Sequence, residues 1–257
     1  MSERVTAVAA IAPVLIDPDV RTTQVSQLLR GHVAEVIARQ GVWLRIRGAD
    51  DYEGWVHQGY LVNIPNGNGG LVCGWDDPRP LSLGCTVRDP LGAVRKLPLG
   101  GLVADGEERI GGLAMKLDER RHNFPPTGDA ITATAVTYFE GTSYEWGGVT
   151  PWGADCSGLV QSSFALHGVH VPRDAWMQSE TGAALPLDFS QLLSADLLFF
   201  SDEPAARISH VAISLGGSRV VHQALGRGGH AIDDLESTEE YTTLLRGRLR
   251  IARRILS

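Results

Sequence analysis

Cysteine is scarce in this chain: Cys73, Cys85 and Cys156 are the only three among 257 residues. One of them is wanted below as a free thiol, so a disulfide framework does not fit and a reducing, cytoplasmic setting is expected. A Cys73–Cys85 pair is the one bridge left open. Positive charge is also short, with a net charge of −7 and no basic stripe. That argues against nucleic acid or an anionic membrane surface as a partner, since both reward a basic face. No apolar run reaches the length of a membrane span. The first apolar run, Val5 to Ile16, is broken by Pro13, has only Arg4 as a preceding base, and ends in Asp17-Pro18-Asp19 without a small-residue cleavage pattern. It reads as a first strand rather than a secretion signal. Metal-ligand spacings of the Cys-x-x-Cys or His-Glu-x-x-His kind are missing as well.

What is present suits two or three globular domains, because the chain is too long for one core of usual size. Residues 1–65 hold short β-patterned runs, Ala7 to Ile16, His32 to Arg39, Val42 to Arg47 and Gly54 to Val56, separated by turns such as Gly48-Ala-Asp-Asp51. Thr23 to Arg30 is compatible with a brief helical turn or an extended loop. Short strands at this spacing predict a small barrel. Asn63 to Gly70 is a linker by composition. Residues 66–123 form a second β-rich region through Leu81, Thr86, Val94 and Leu102, a candidate for a second, degenerate barrel. Phe124-Pro125-Pro126 marks the next boundary, and 124–257 is the third region. There a helix is expected over Asp129 to Phe139, a second from Cys156 closed by Gly168, and strands over Ala195 to Phe200, Ile208 to Leu215, Arg219 to Ala224 and Leu244 to Ile255. Helices first and antiparallel strands later is an α+β order.

The chemistry concentrates at Tyr144-Glu-Trp146-Gly-Gly and Asp155-Cys156-Ser157-Gly158. Asp155 reads as the N-cap of the helix that Cys156 opens. Unpaired N–H groups and the positive helix end favour a thiolate there, contributing about 1 kcal/mol toward the anion. An unshifted thiol is only a few per cent ionised at neutral pH, so a base is still required. A buried structural cysteine is the competing interpretation, and the partners decide between them. Two histidines lie on the hairpin, His210 and His222. A three-residue loop at Gly216-Gly217-Ser218 sets Ala212 opposite His222 and leaves His210 its diagonal neighbour on the same face, whereas a two-residue loop separates them. On one face, His210 can take the thiol proton while His222 accepts from its other ring nitrogen. A Cys156, His210 and His222 zinc triad is the other chemistry these residue types permit, and the glycine-rich loop ahead of Asp155-Cys156 suits a nucleophile better.

Those segments, with Pro172-Arg173, Asp196-Leu197-Leu198-Phe199-Phe200, His210-Val-Ala-Ile and Val221-His222, resemble in order and spacing the NlpC/P60 family of bacterial cell-wall cysteine peptidases over Ala130 to Ala224. Leu29-Arg-Gly31, Trp43-Leu-Arg-Ile-Arg, Tyr52-Glu53-Gly54-Trp55-Val56 and Tyr60-Leu61 resemble a bacterial SH3-like domain. Together they look like the γ-D-glutamyl-L-diamino acid endopeptidases that cut murein stem peptides. The resemblance implies a papain-like catalytic domain that needs no cofactor or metal. It makes Cys156 the nucleophile, His210 the base, His222 the residue that orients it and Tyr144 a donor to the oxyanion. It further implies that Asp155 and Ser157 line the substrate cleft, that Trp146 forms a wall of it, and that Arg173 and Asp174 belong to the substrate loop. In that loop the family often has a serine where Ala175 and Trp176 stand here. Glu53, with Tyr60 nearby, is the acidic and aromatic set expected to receive the free α-amine of a short murein peptide, L-Ala-γ-D-Glu-diamino acid. A non-catalytic peptidoglycan-binding module and a papain-like acyltransferase are the alternatives.

Overall fold

The computed structural model of the chain describes residues 3–65, 71, 72, 74–203 and 205–256. The chain divides into two compact units, Met1–Asn123 with Trp146–Gly148, and Phe124–Glu145 with Val149–Ser257.

In the first unit alternating apolar residues set the strands. Leu44 and Ile46 of Trp43–Arg47, and Gly54 and Val56 of Glu53–His57, point inward while their neighbours do not. Seven strands form one antiparallel sheet in the order Gln24–Leu29, Ile11–Leu15, Glu53–His57, Trp43–Arg47, Val33–Gln40, Glu3–Ala7 and Leu61–Ile64. Its core joins Val5, Ala12, Val14, Leu28, Leu44, Ile46 and Val56. Gly54 is required by close approach, because a Cβ there would sit 2.4 Å from Val14 Cγ1. That is the physical content of the Gly-Trp-Val step.

Three expectations for this unit change. The single opening strand is two, Glu3–Ala7 and Ile11–Leu15. The break comes just after Val8, whose N–H still donates to Tyr60 O before the chain bends at residues 9 and 10. Thr23 to Arg30 is a regular strand, Gln24–Leu29, because it can pair along Ile11–Leu15 and bury Ser26, Leu28 and Leu29. The region 66–123 is not a second barrel. It is a three-stranded antiparallel sheet with Leu81–Arg88 between Glu108–Met115 and Val94–Leu102, followed by an unforeseen helix, Leu117–Asn123. It does not stand apart from residues 1–65 either. Leu102 N–H donates to Arg30 O, His32 Nε2 lies 2.9 Å from Gly100 O, and Arg30 pairs with the buried Glu107 at 2.6 Å. Residues 66–70 of the linker, and Cys73, lie outside the described residues.

The second unit is a six-stranded antiparallel sheet in the order Ala183–Leu185, Leu249–Arg254, Ser194–Phe200, His210–Leu215, Arg219–Ala224 and Gly229–Asp234. Helices Gly128–Tyr138 and Cys156–Leu166 pack on it. Leu198, Phe200, Ala212, Val220 and Ala252 form one core with Leu192, Leu235 and Leu245. Leu197, Phe199, Val211, Ile213 and Val221 alternate with them and are equally buried, so both faces of the central strands are covered. The expected last strand from Leu244 is shorter. Residues Glu240–Gly247 are helical, burying Thr242 and Leu245 with an acidic first turn and a basic last one, and the strand is Leu249–Arg254.

Candidate active site

Asp155 caps the helix it precedes. Its backbone is extended, and its Oδ1 accepts the Gly158 N–H at 2.7 Å, a bond of the kind worth about 1 kcal/mol. Cys156 is the first helical residue, and Gly168 N–H closes the far end on Ala165 O. The helix does not leave the sulfur a thiolate. Cys156 is only 6% exposed. Burial first and then the charge of Asp155 push its thiol up to about 12, against the opposing pull of the Val211 N–H, Arg173 and the Ser157 N–H. About 1 kcal/mol from a helix end does not offset desolvation of a fully enclosed anion. The thiolate favoured by helix position alone is therefore corrected to a protonated thiol at rest.

His210 is brought close to it, since Val211, whose N–H reaches the sulfur, directly follows His210. The hairpin has the three-residue loop. Gly216 and Gly217 both take positive φ, at +91° and +64°, and Ile213 faces Val221 with Ser214 facing Val220. Carried one step on, that register puts Ala212 opposite His222 and makes His210 its diagonal neighbour. The two rings meet at 2.9 Å, His210 Nε2 to His222 Nδ1, with centroids 5.1 Å apart. Burial, then the neighbouring His222, pulls His210 down to about 3, so its imidazole is neutral and able to accept a proton. Burial thus favours the uncharged form of both the thiol and the imidazole.

Tyr144 is held against the strand that follows the histidine hairpin. Its N–H donates to Gly228 O, and Ser143 bridges Gly229. Burial, then the charges of Cys156 and Asp155, raise its phenol above the usual range, so it keeps its proton and can donate toward charge developing near the sulfur.

The remaining expected residues are distributed differently. Arg173 is 1% exposed and does not face a cleft. It pairs bidentately with Asp155, at 3.0 Å and 2.6 Å, and donates to Ser157 Oγ at 2.8 Å. Asp155, Ser157 and Arg173 thus spend their side chains on one another beneath the nucleophile, which corrects their assignment as open cleft lining. Asp174 Oδ2 accepts from Trp176 Nε1 at 3.1 Å, and Arg207 stacks over that indole at 3.8 Å. Trp146 is 61% exposed and clusters with the first unit, where Gln24 Nε2 donates to its carbonyl. Tyr60 is 37% exposed on the short turn Gln58–Tyr60. Glu53 is not a spare acceptor for an amine. Its two carboxylate oxygens already meet Arg47 at 2.6 Å and Arg45 at 3.0 Å across the adjoining strand.

One residue was missed. His222 is fully buried, and its Nε2 lies 2.9 Å from Asp233 Oδ2. The available signal was the alternation along Gly229–Asp234. His222 faces Ala231, so Asp233 is its diagonal neighbour, as His210 is on the other side.

A thiol at the head of a helix, a histidine on an adjoining antiparallel strand and a second histidine hydrogen-bonded to it are the parts that nucleophilic thiol chemistry uses. Residues 141–248 match the model of the NlpC/P60 family, and residues 16–62 match that of the bacterial SH3 domain. The two matches follow one another in the order the sequence motifs suggested, the SH3 match first. Among similar proteins is the gamma-D-glutamyl-L-lysine dipeptidyl-peptidase of Bacillus subtilis (strain 168), 38% identical over 114 residues, which are 44% of this chain and 37% of that protein. The bifunctional muramidase/DL-endopeptidase CwlT of the same organism is 39% identical over 111 residues, 42% of this chain and 32% of that one. The matched stretch thus spans only about a third of these relatives. An NlpC/P60 family protein from Bacillus cereus ATCC 10987 shares the fold at a TM-score of 0.75 and 17% identity, over 99% of this chain and 100% of its own.

Proposed function

We propose that the chain is a cysteine peptidase that hydrolyses the bond between γ-D-glutamate and a diamino acid in murein stem peptides. The observation that carries this reading is the pairing of two links: the Val211 N–H, one residue on from His210, reaches the Cys156 sulfur, and His210 hydrogen-bonds His222 at 2.9 Å. Names of the relatives support the bond and the substrate class. In the reaction Cys156 Sγ attacks the γ-carbonyl while His210 takes its proton. The same proton returns to the leaving amine, and an acyl-enzyme remains on sulfur. Water, deprotonated by His210, then releases the dipeptide acid and restores the thiol. Tyr144 donates to the oxyanion in both steps. Peptides already released from the wall are the substrates we favour, in the cytoplasm. The buried free thiols of Cys85 and Cys156 suit a reducing compartment.

The test is incubation with L-Ala-γ-D-Glu-L-Lys and its diaminopimelate counterpart, with products read by mass. Release of L-Ala-D-Glu and the free diamino acid is expected, lost in Cys156→Ala and after iodoacetamide. His210→Ala should cost roughly 10²–10⁴-fold in kcat, and His222→Gln less, because orientation is one part of what the base supplies. Activity removed by EDTA and restored by zinc, or transfer to an added amine in place of hydrolysis, overturns the reading.

A further inference from the structure

We propose that Asp233, clamped by Arg227, is a positioning residue that sets the order of protons along His222 and His210, leaving Nδ1 of His210 as the lone-pair nitrogen available to the thiol. This deepens the reading of the site as a cysteine-peptidase centre and rests on it.

The argument is one of donors and acceptors. Three adjacent strands carry His210, His222 and Asp233, each a diagonal step from the last, and both links in the row are 2.9 Å. Arg227, on the turn Leu225–Arg227 between the last two strands, donates to Asp233 Oδ1 at 2.7 Å and Oδ2 at 3.3 Å. It also reaches both oxygens of Glu239 at 2.7 Å and lies over the Tyr241 ring at 4.3 Å, so its guanidinium is held from three sides. Burial alone raises the Asp233 carboxyl, yet the hydrogen bonds from His222 and Arg227 outweigh it and hold Asp233 below its ordinary value. An ionised carboxylate only accepts. His222 Nε2 must therefore carry a proton, and with the ring a neutral imidazole, as proposed, its Nδ1 is then an acceptor. His210 Nε2 has to donate to it, which leaves the lone pair of His210 on Nδ1. Since His222 has no exposed surface, water does not offer its ring an alternative partner.

Asp233→Asn inverts this logic at almost constant shape. The amide nitrogen belongs at the Oδ2 position, where the Arg227 contact is long, rather than at Oδ1, where a second donor would face Arg227 at 2.7 Å. From there it donates to His222 Nε2 and drives both rings to the other tautomer. With the full-length protein, kcat should fall roughly a hundredfold while KM stays within about twofold and the melting temperature stays near wild type. Ring-¹⁵N NMR of the two histidines reads the cause directly. Wild type should show Nε2–H on both His210 and His222, and Asp233→Asn should show Nδ1–H on both. A wild-type His222 protonated on Nδ1, or Asp233→Asn with wild-type kcat, overturns the proposal. Should the variant fail to fold, the wild-type spectrum alone decides. That spectrum is also independent of substrate: Nε2–H on both rings with no murein peptide cleaved would sink the peptidase reading and leave the proton order standing.

Discussion

Each unit of the molecule holds a carboxylate gripped by arginine, and the two differ in how much water they keep. In the first, Glu53 lies between Arg45 and Arg47 on a sheet surface, with side-chain exposures of 28%, 48% and 42%. In the second, Asp155 and Arg173 are 10% and 1% exposed. The chemistry is the same and the consequence is not. An exposed pair competes with water and is screened, so it contributes little, whereas a buried pair cannot lose one partner without stranding a charge. The sequence reading placed function on both carboxylates. Glu53 is instead paired in place with Arg45 and Arg47, and Asp155 fixes the buried floor beside Cys156.

The sharpest way to break the comparison is Arg173→Met, expected to cost about 3–5 kcal/mol in urea unfolding because the buried Asp155 charge loses its guanidinium. Arg173→Met combined with Asp155→Leu should recover much of that loss, and a double variant no better than the single would show the charge was not the cause.

Acid separates the regions next. Burial depresses His210 from 6.5 to about 3, so the folded site needs the neutral ring, and unfolding takes up a proton once the pH drops below 6.5. Stability from this source is complete above about pH 6.5 and is lost as the pH falls toward 3. The urea midpoint of wild type should therefore decline over that window more steeply than that of His210→Gln, and parallel declines would remove His210 as the cause.

Arg227→Met comes third, at about 1–2 kcal/mol, because Arg227 keeps some contact with water and Asp233 retains His222. Glu53→Gln is the smallest, about 0–1 kcal/mol, with kcat/KM on the free-amine murein peptide unchanged. A large loss on that peptide, absent when its N-terminus is acetylated, would return Glu53 to the site and erase the contrast.

Local spacing explains what was legible. The Asp155 cap, the helix from Cys156, the three-residue loop at Gly216–Ser218 and the shared face of His210 and His222 each depend on residues close in the chain, through helical period, strand alternation and the conformational freedom of glycine. Where expectation failed, the deciding partner was distant or absent from the pattern. The strand Gln24–Leu29 exists because Ile11–Leu15 lies beside it, and Leu244–Gly247 is helical because Leu245 packs into the core under the sheet.

By itself the sequence determined the α+β order, the Asp155 cap with Cys156 at the head of its helix, and the two histidines on one hairpin, since all follow from intervals counted along the chain. Only the tertiary structure decided that Arg173 belongs to Asp155, that Glu53 is already paired, and that Asp233 completes the histidine row. It also decided that the Cys156 thiol rests protonated. Burial and charge pairing are properties of what surrounds a group in space, and residues from several elements, up to 55 positions away in the case of Val211, set that environment for the sulfur.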